Sequence, residues 1–111
     1  MKVTSYLPLR PVEFQILLAL ADGDLHGYAI RQEAARRTGG EVLLEAGTLY
    51  RALRRLLETG LVAERRHDGA PEADERRRTY RLTELGRKVA VAEAERMASL
   101  VDEARRLLGK A

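Results

Sequence analysis

Arg51, Arg54 and Arg55 lie within five residues of one another in the stretch GTLYRALRRLLETGLVA at 47–63, and Arg65, Arg66, Arg76, Arg77, Arg78 and Arg81 follow soon after. Guanidinium groups can bond phosphate oxygens or pair bidentately with O6 and N7 of guanine, so the chemistry this spacing offers is recognition of a duplex. Bond-making chemistry finds few candidates. His26 and His67 have no HExxH spacing, no paired carboxylate and no cysteine beside them, which leaves them structural roles, His26 as a cap or a buried hydrogen-bonding residue. Tyr28, Tyr50 and Tyr80 read first as core or backbone-binding residues. Gly39-Gly40 and Gly47 match neither a dinucleotide nor a P-loop pattern and serve turns.

For the arginines to share a surface, a helix must hold them. Leu49, Leu53, Leu56 and Leu57 recur at helical spacing, while Thr48, Arg51, Arg54, Arg55 and Glu58 lie off that stripe. Thr48 is predicted to cap this helix and Gly60 to close it. Upstream, Pro11 suits the first turn of a helix with apolar positions Phe14, Leu17, Leu18 and Ala21, ending at Asp22-Gly23-Asp24. A second helix is predicted over about 26–37, with Ala29, Ile30 and Ala34 inward and Gly39-Gly40 after it. EVLLE, with Val42 and Leu44 on one side, predicts a short strand. Two further strands, 61–67 and 77–82, flank the acidic linker DGAPEADE, and Tyr80 and Leu82 alternate with Thr79 and Arg81. Helix, helix, short strand, helix and hairpin is the order of a winged helix-turn-helix.

Thr83 is predicted to cap a last helix of roughly 25 residues, about 37 Å long. Its distal half carries Met97, Leu100, Val101, Ala104, Leu107 and Leu108 at spacings of three and four, a stripe longer than an 80-residue domain can cover. The partner expected on it is the same helix of a second subunit, in a two-fold homodimer. The fold class expected is therefore mainly α: a winged helix-turn-helix over residues 1–82 with a two- or three-stranded wing sheet, and a C-terminal dimerisation helix over residues 83–111.

Composition narrows the classes further. A chain of 111 residues with 45% hydrophobic content can bury one modest core. With no cysteines, disulfides, thiolate metal sites and cysteine nucleophiles are excluded, and a reducing compartment fits. MKVTSYLPLRP lacks the apolar run of a signal peptide, and no segment approaches a membrane span, so a soluble, cytoplasmic protein without a membrane partner is expected. The net charge is only +3, one positive charge each in residues 1–60, 61–82 and 83–111, so local clustering of arginine carries the argument.

Three segments, LLALADGDLHGYAIRQE, GTLYRALRRLLETGLV and RRRTYRLTELGRK, together resemble the PadR-like transcriptional regulators in order and spacing, over about residues 14–88. The chain also resembles the short members of that family, which carry one C-terminal dimerisation helix. The resemblance implies a homodimeric winged-helix repressor that binds double-stranded DNA at a pseudo-palindromic operator, regulates detoxification, efflux or phenolic-acid genes, and is released by a small-molecule effector. It places the DNA contacts on Thr48, Tyr50, Arg51, Arg54 and Arg55, with Arg65, Arg66, Arg77 and Arg78 added by the wing. Some short members hold planar drugs between subunits with a tryptophan of the last helix; this chain has no tryptophan, so that pocket does not carry over. No cofactor and no enzymatic activity are expected. The rival readings are a winged-helix protein-interaction module whose arginines meet an acidic protein surface, and a small enzyme or metal sensor.

Overall fold

The computed structural model describes residues 2–40, 44–66 and 78–109, Arg66 by its backbone alone. A short 3-10 turn, Val3–Tyr6, leads into α1, Pro11–Ala19, where Pro11 occupies the first helical turn and gives up no intrahelical bond. Ile16, Leu17, Ala19 and Leu20 are buried, whereas Phe14 and Leu18 are half-buried. Of the stripe expected from periodicity, Leu17 is buried and Phe14, Leu18 and Ala21 are half-buried, while Ile16, Ala19 and Leu20 also enter the core from a helix that is apolar nearly all round. Helix α2, Gly27–Arg37, buries Ile30 and Ala34 as expected, and Gly39 and Gly40 follow it with φ of +63° and +87°.

Helix α3, Ala46–Glu58, sends Leu49, Ala52, Leu53 and Leu56 into a common core with Ile16, Leu17, Ile30 and Val89. Its N-cap is Glu45, and no side chain caps it. Thr48 sits inside the first turn, because the helix starts three residues earlier than a Thr48 cap requires. Gly60, φ +79°, turns the chain after α3 as expected.

Three strands form one antiparallel sheet in the order β1-β3-β2: β1 is Leu25–His26, β2 Val62–Arg66 and β3 Arg78–Leu82. Tyr80 pairs with Glu64 on one side and Leu25 on the other, which buries both Tyr80 and Thr79 on the central strand. The first strand is thus Leu25–His26, where a helix start was expected. Of the strand expected at EVLLE, residues 41–43 lie outside the described residues, and Leu44 and Glu45 are irregular. The Leu44 side chain is buried, and its carbonyl accepts a 2.6 Å bond from Arg31 Nε.

Helix α4, Glu84–Leu108, spans 25 residues. Thr83 is its cap: Oγ1 accepts from the Gly86 N–H at 2.9 Å and donates to the Gly60 carbonyl at 2.7 Å, tying the helix start to the end of α3. Gly86 lies so close to the Leu61 carbonyl that any Cβ would collide with it. Three turns of α4 therefore belong to the core, through Gly86, Val89 and Glu93. Glu93, only 1% exposed, accepts from the Leu9 N–H at 3.1 Å and from Arg96 Nε at 2.6 Å. Hydrogen bonding from Arg96, aided by the Leu9 amide and by the charge of Arg96, outweighs burial and holds the Glu93 carboxyl below its ordinary value.

Candidate nucleic-acid interface

The exposed side of α3 follows from its buried one. With Leu49, Ala52, Leu53 and Leu56 inward, 3.6 residues per turn leave Arg51, Arg54 and Arg55 exposed. The three then diverge. Arg55 Nε donates to Glu13 Oε2 of α1 at 2.8 Å, and Glu13 is itself buried. Arg51 reaches only the Thr48 hydroxyl, at 3.4 Å, and among the described residues no carboxylate pairs with Arg51 or Arg54. Two arginines of α3 thus present undischarged guanidinium groups to solvent, and the third fastens α3 to α1.

Tyr50 is half-buried and leans on the start of α2. A Cβ at Gly27 would stand 2.5 Å from the Tyr50 hydroxyl oxygen, so the absence of a side chain at position 27 sets how closely the two helices approach. Tyr50 therefore positions the two-helix unit. The neighbouring Tyr28 is 64% exposed in the first turn of α2, and not in the core. Of the two places expected for it, core or backbone-binding, its exposure removes the first. His26 holds the N-cap position of α2 by its backbone, but its exposed side chain makes no capping bond, in contrast to the cap or buried role expected for it.

The wing contributes less uniformly than its arginine count suggests. Arg65 is exposed on β2, opposite Thr79 of β3. Arg78 is partly buried and bridges to Glu64 at 3.6 Å on the Tyr80 face. Arg66 ends β2, paired with Arg78 in register, while Arg77, with His67 and the acidic linker, lies outside the described residues. Arg81, exposed opposite Ala63, adds a further positive charge to the sheet.

On α4 the expected stripe lies open. Met97, Leu100, Val101, Leu107 and Leu108 are exposed, with fractions from 40% to 83%, and Ala104 is half-buried among them. Val91 is also exposed, at 53%, but helical geometry sets it on a different side of α4 from this stripe. Isolated exposed leucines are ordinary, whereas a row of this length on one helix marks an interaction face. Among the described residues, no group of His, Asp and Glu has an arrangement that could hold a metal ion, and no helix is long and apolar enough to cross a membrane.

Comparison with known proteins agrees with this architecture. Residues 16–92 match the model of the transcriptional regulator PadR-like family. Over 85 residues the chain is 41% identical to an uncharacterized 37.1 kDa protein of a Streptomyces fradiae transposon, covering 77% of this chain but only 22% of that protein. A transcriptional regulator from Clostridium thermocellum has a similar structure, with a TM-score of 0.74, 26% identity, and coverage of 97% of this chain and 94% of that one. Bacillus subtilis PadR, solved in complex with operator DNA, shares the fold at a TM-score of 0.64 and 23% identity, over 75% of this chain and 46% of that one.

Proposed function

The chain belongs to the PadR-like family of transcriptional regulators, and on that premise we propose that it is a homodimeric repressor that binds a pseudo-palindromic operator through α3. The observation that carries this reading is the pair Arg51 and Arg54, exposed on a helix whose other face is locked in the core and unmatched by any described acid. Bases are read by these two side chains. Thr48 and Tyr50 flank them, and Arg65 and Arg66, with Arg77 and Arg78, supply phosphate contacts from the wing. Arg55 has the smallest share, since its guanidinium is engaged by Glu13. Tyr28 joins the surface from the start of α2, where a phenol hydroxyl beside a helix N-terminus suits a phosphate oxygen.

Dimerisation pairs the α4 stripes of Met97, Leu100, Val101, Ala104, Leu107 and Leu108 about a two-fold axis, leaving residues 1–82 as the DNA-binding unit and 83–111 as the dimerisation helix. Two copies of α3 then enter successive major grooves about 34 Å apart. The complex of Bacillus subtilis PadR with operator DNA supports this geometry by its shared fold. Action in the cytoplasm and release by a small-molecule effector complete the reading.

Fluorescence anisotropy on duplexes from the promoter of the coding gene tests it. Binding should prefer one sequence over random duplex and weaken steeply with salt, as expected when several phosphates are neutralised. Indifference to every duplex at low ionic strength, or saturation by a protein partner instead, would overturn it in favour of a protein-interaction module.

A further inference from the structure

Where α3 lies against the sheet, Tyr50, Arg54 and Leu57 face Glu64, Arg78 and Tyr80 across a seam of about 120 Å³. Glu64 and Tyr80 are opposite each other in register, and Arg78 is two residues from Tyr80, so all three lie on the α3 side of the sheet. The seam is smaller than the roughly 300 Å³ at which small-molecule pockets begin, and Arg54, one of the two arginines assigned to base edges, lines it. A phosphate group of a duplex backbone is the ligand that suits it. Among the described residues lining the seam, Glu64 is the one acid, and it stands where a phosphate would be repelled.

Two arginine-carboxylate pairs flank the recognition face, and they differ in kind. Arg55 donates to the buried Glu13 at 2.8 Å, a fixed hydrogen bond. Arg78 stands 3.6 Å from Glu64, beyond hydrogen-bond distance, with the two side chains exposed at 25% and 34%. Such a pair adds little to stability and exchanges readily, whereas a phosphate offers Arg78 a shorter, bidentate, charge-assisted contact. We propose that Glu64 sets the specificity of DNA binding through Arg78: it discounts the charge of Arg78 toward random duplex and yields it to a backbone phosphate on the operator. Random duplex is held by its phosphates, so a discounted arginine beside a carboxylate weakens it most. On the operator, Arg51 and Arg54 seat at base edges, each contact worth about tenfold or more, and that docking brings the backbone into the seam against the repulsion of Glu64. The exchange rests on the DNA reading above.

Glu64→Gln, Arg78→Ala and the double variant, as full chains, are titrated by anisotropy against a duplex from the promoter of the coding gene and against random duplex, each over a range of salt. Glu64→Gln should bind random duplex about five- to tenfold tighter and the promoter duplex within about twofold of the parent, so the preference falls about fivefold. Its salt slope on random duplex should steepen by about 0.9, the value of one added phosphate contact, with the melting temperature unchanged. Arg78→Ala should make the promoter slope shallower by about the same 0.9 and leave random duplex within about twofold. In the Arg78→Ala background the gain from Glu64→Gln should disappear. An equal gain on both duplexes, or a gain that survives Arg78→Ala, would overturn the proposal, because removal of a charge alone would then account for it. A loss on the promoter duplex would overturn it too, by making Glu64 an acceptor for a base amine. A parent that prefers its promoter duplex while Glu64→Gln changes nothing sinks the exchange and leaves the DNA reading standing; a parent that binds no duplex removes both.

Discussion

Arg55 on α3 and Glu13 on α1 meet at 2.8 Å across 42 positions of sequence, the carboxylate buried and the guanidinium half in solvent. Three arginines that look equivalent in the chain are therefore divided between two tasks. Arg55 secures the helix that Arg51 and Arg54 use.

Substitution should separate these tasks. Arg51→Ala and Arg54→Ala are expected to leave the melting temperature unchanged and to weaken specific duplex binding by about 1–3 kcal/mol each. Arg55→Ala leaves the Glu13 carboxylate buried without its donor and should cost about 1–2 kcal/mol of stability. Its effect on DNA affinity should be smaller than that of either neighbour. Thermal melts and anisotropy on the same three proteins check both halves of this prediction.

At the start of α4, the closeness of Gly86 to the Leu61 carbonyl forbids a side chain. Gly86→Ala must move backbone against backbone and should destabilise by about 3 kcal/mol, a fall in Tm of roughly 10–20 °C. Gly27→Ala meets the end of the Tyr50 ring, which can swing aside. A milder loss of stability is expected there, with a larger loss of DNA affinity as the spacing of α2 and α3 changes. Denaturant and anisotropy titrations would show the opposite ranking of the two variants.

The Glu93 carboxyl is held below its ordinary value by Arg96 and the Leu9 amide. A carboxylate depressed in the folded state adds stability that is complete above the unfolded value, near 4.3, and is lost as pH falls through that value toward the folded one. Glu93→Gln should therefore lower stability at pH 7 by about 1–3 kcal/mol and flatten the acid limb of the stability curve below pH 4 to 5. If the two proteins lost stability in parallel between pH 6 and 3, Glu93 would not be the group responsible.

For the distal stripe, Leu100→Asp with Leu107→Asp should convert the dimer to monomer at micromolar concentration while the helix content stays near that of the parent. Each leucine removed from an apolar interface contributes about 1.5–3 kcal/mol, so the pair shifts the dissociation constant by at least about a hundredfold. Analytical ultracentrifugation reads the shift. A parent chain that already sediments as a monomer would refute the pairing outright.

Much of this molecule is legible in its sequence where a signal is local. The leucine period of α3, Gly60 after it, the Thr83 cap and the long α4 are each written within a few neighbouring positions, whereas the alternation expected for β3 fails at Thr79, which is buried beside Tyr80 on the central strand. What escaped depends on partners far away in the chain. The strand Leu25–His26 has two residues and exists because Thr79 and Tyr80 pair with it, so no local period marks it. Glu13 looks like a surface carboxylate until Arg55 is brought against it. Helix α1 has apolar residues on nearly every side, which hides its inward face, and Thr48 has the chemistry of a cap without its position because α3 begins at Ala46. The arginines of the sheet are countable in sequence, but which are paired is decided by register, as Arg78 with Glu64 shows.

The single unbroken rod of α4 has a mechanical consequence. Its first three turns are clamped by Gly86, Val89 and Glu93, and its far end carries the open stripe. Beyond the clamp it is a lever of about 22 Å, and a tilt of about 5° at the clamp sweeps the tip by roughly 2 Å. In a paired molecule the same gearing runs backward: small slips at the tips become rotations of whole subunits, so the spacing tolerated between half-sites is governed by side chains that never approach the double helix.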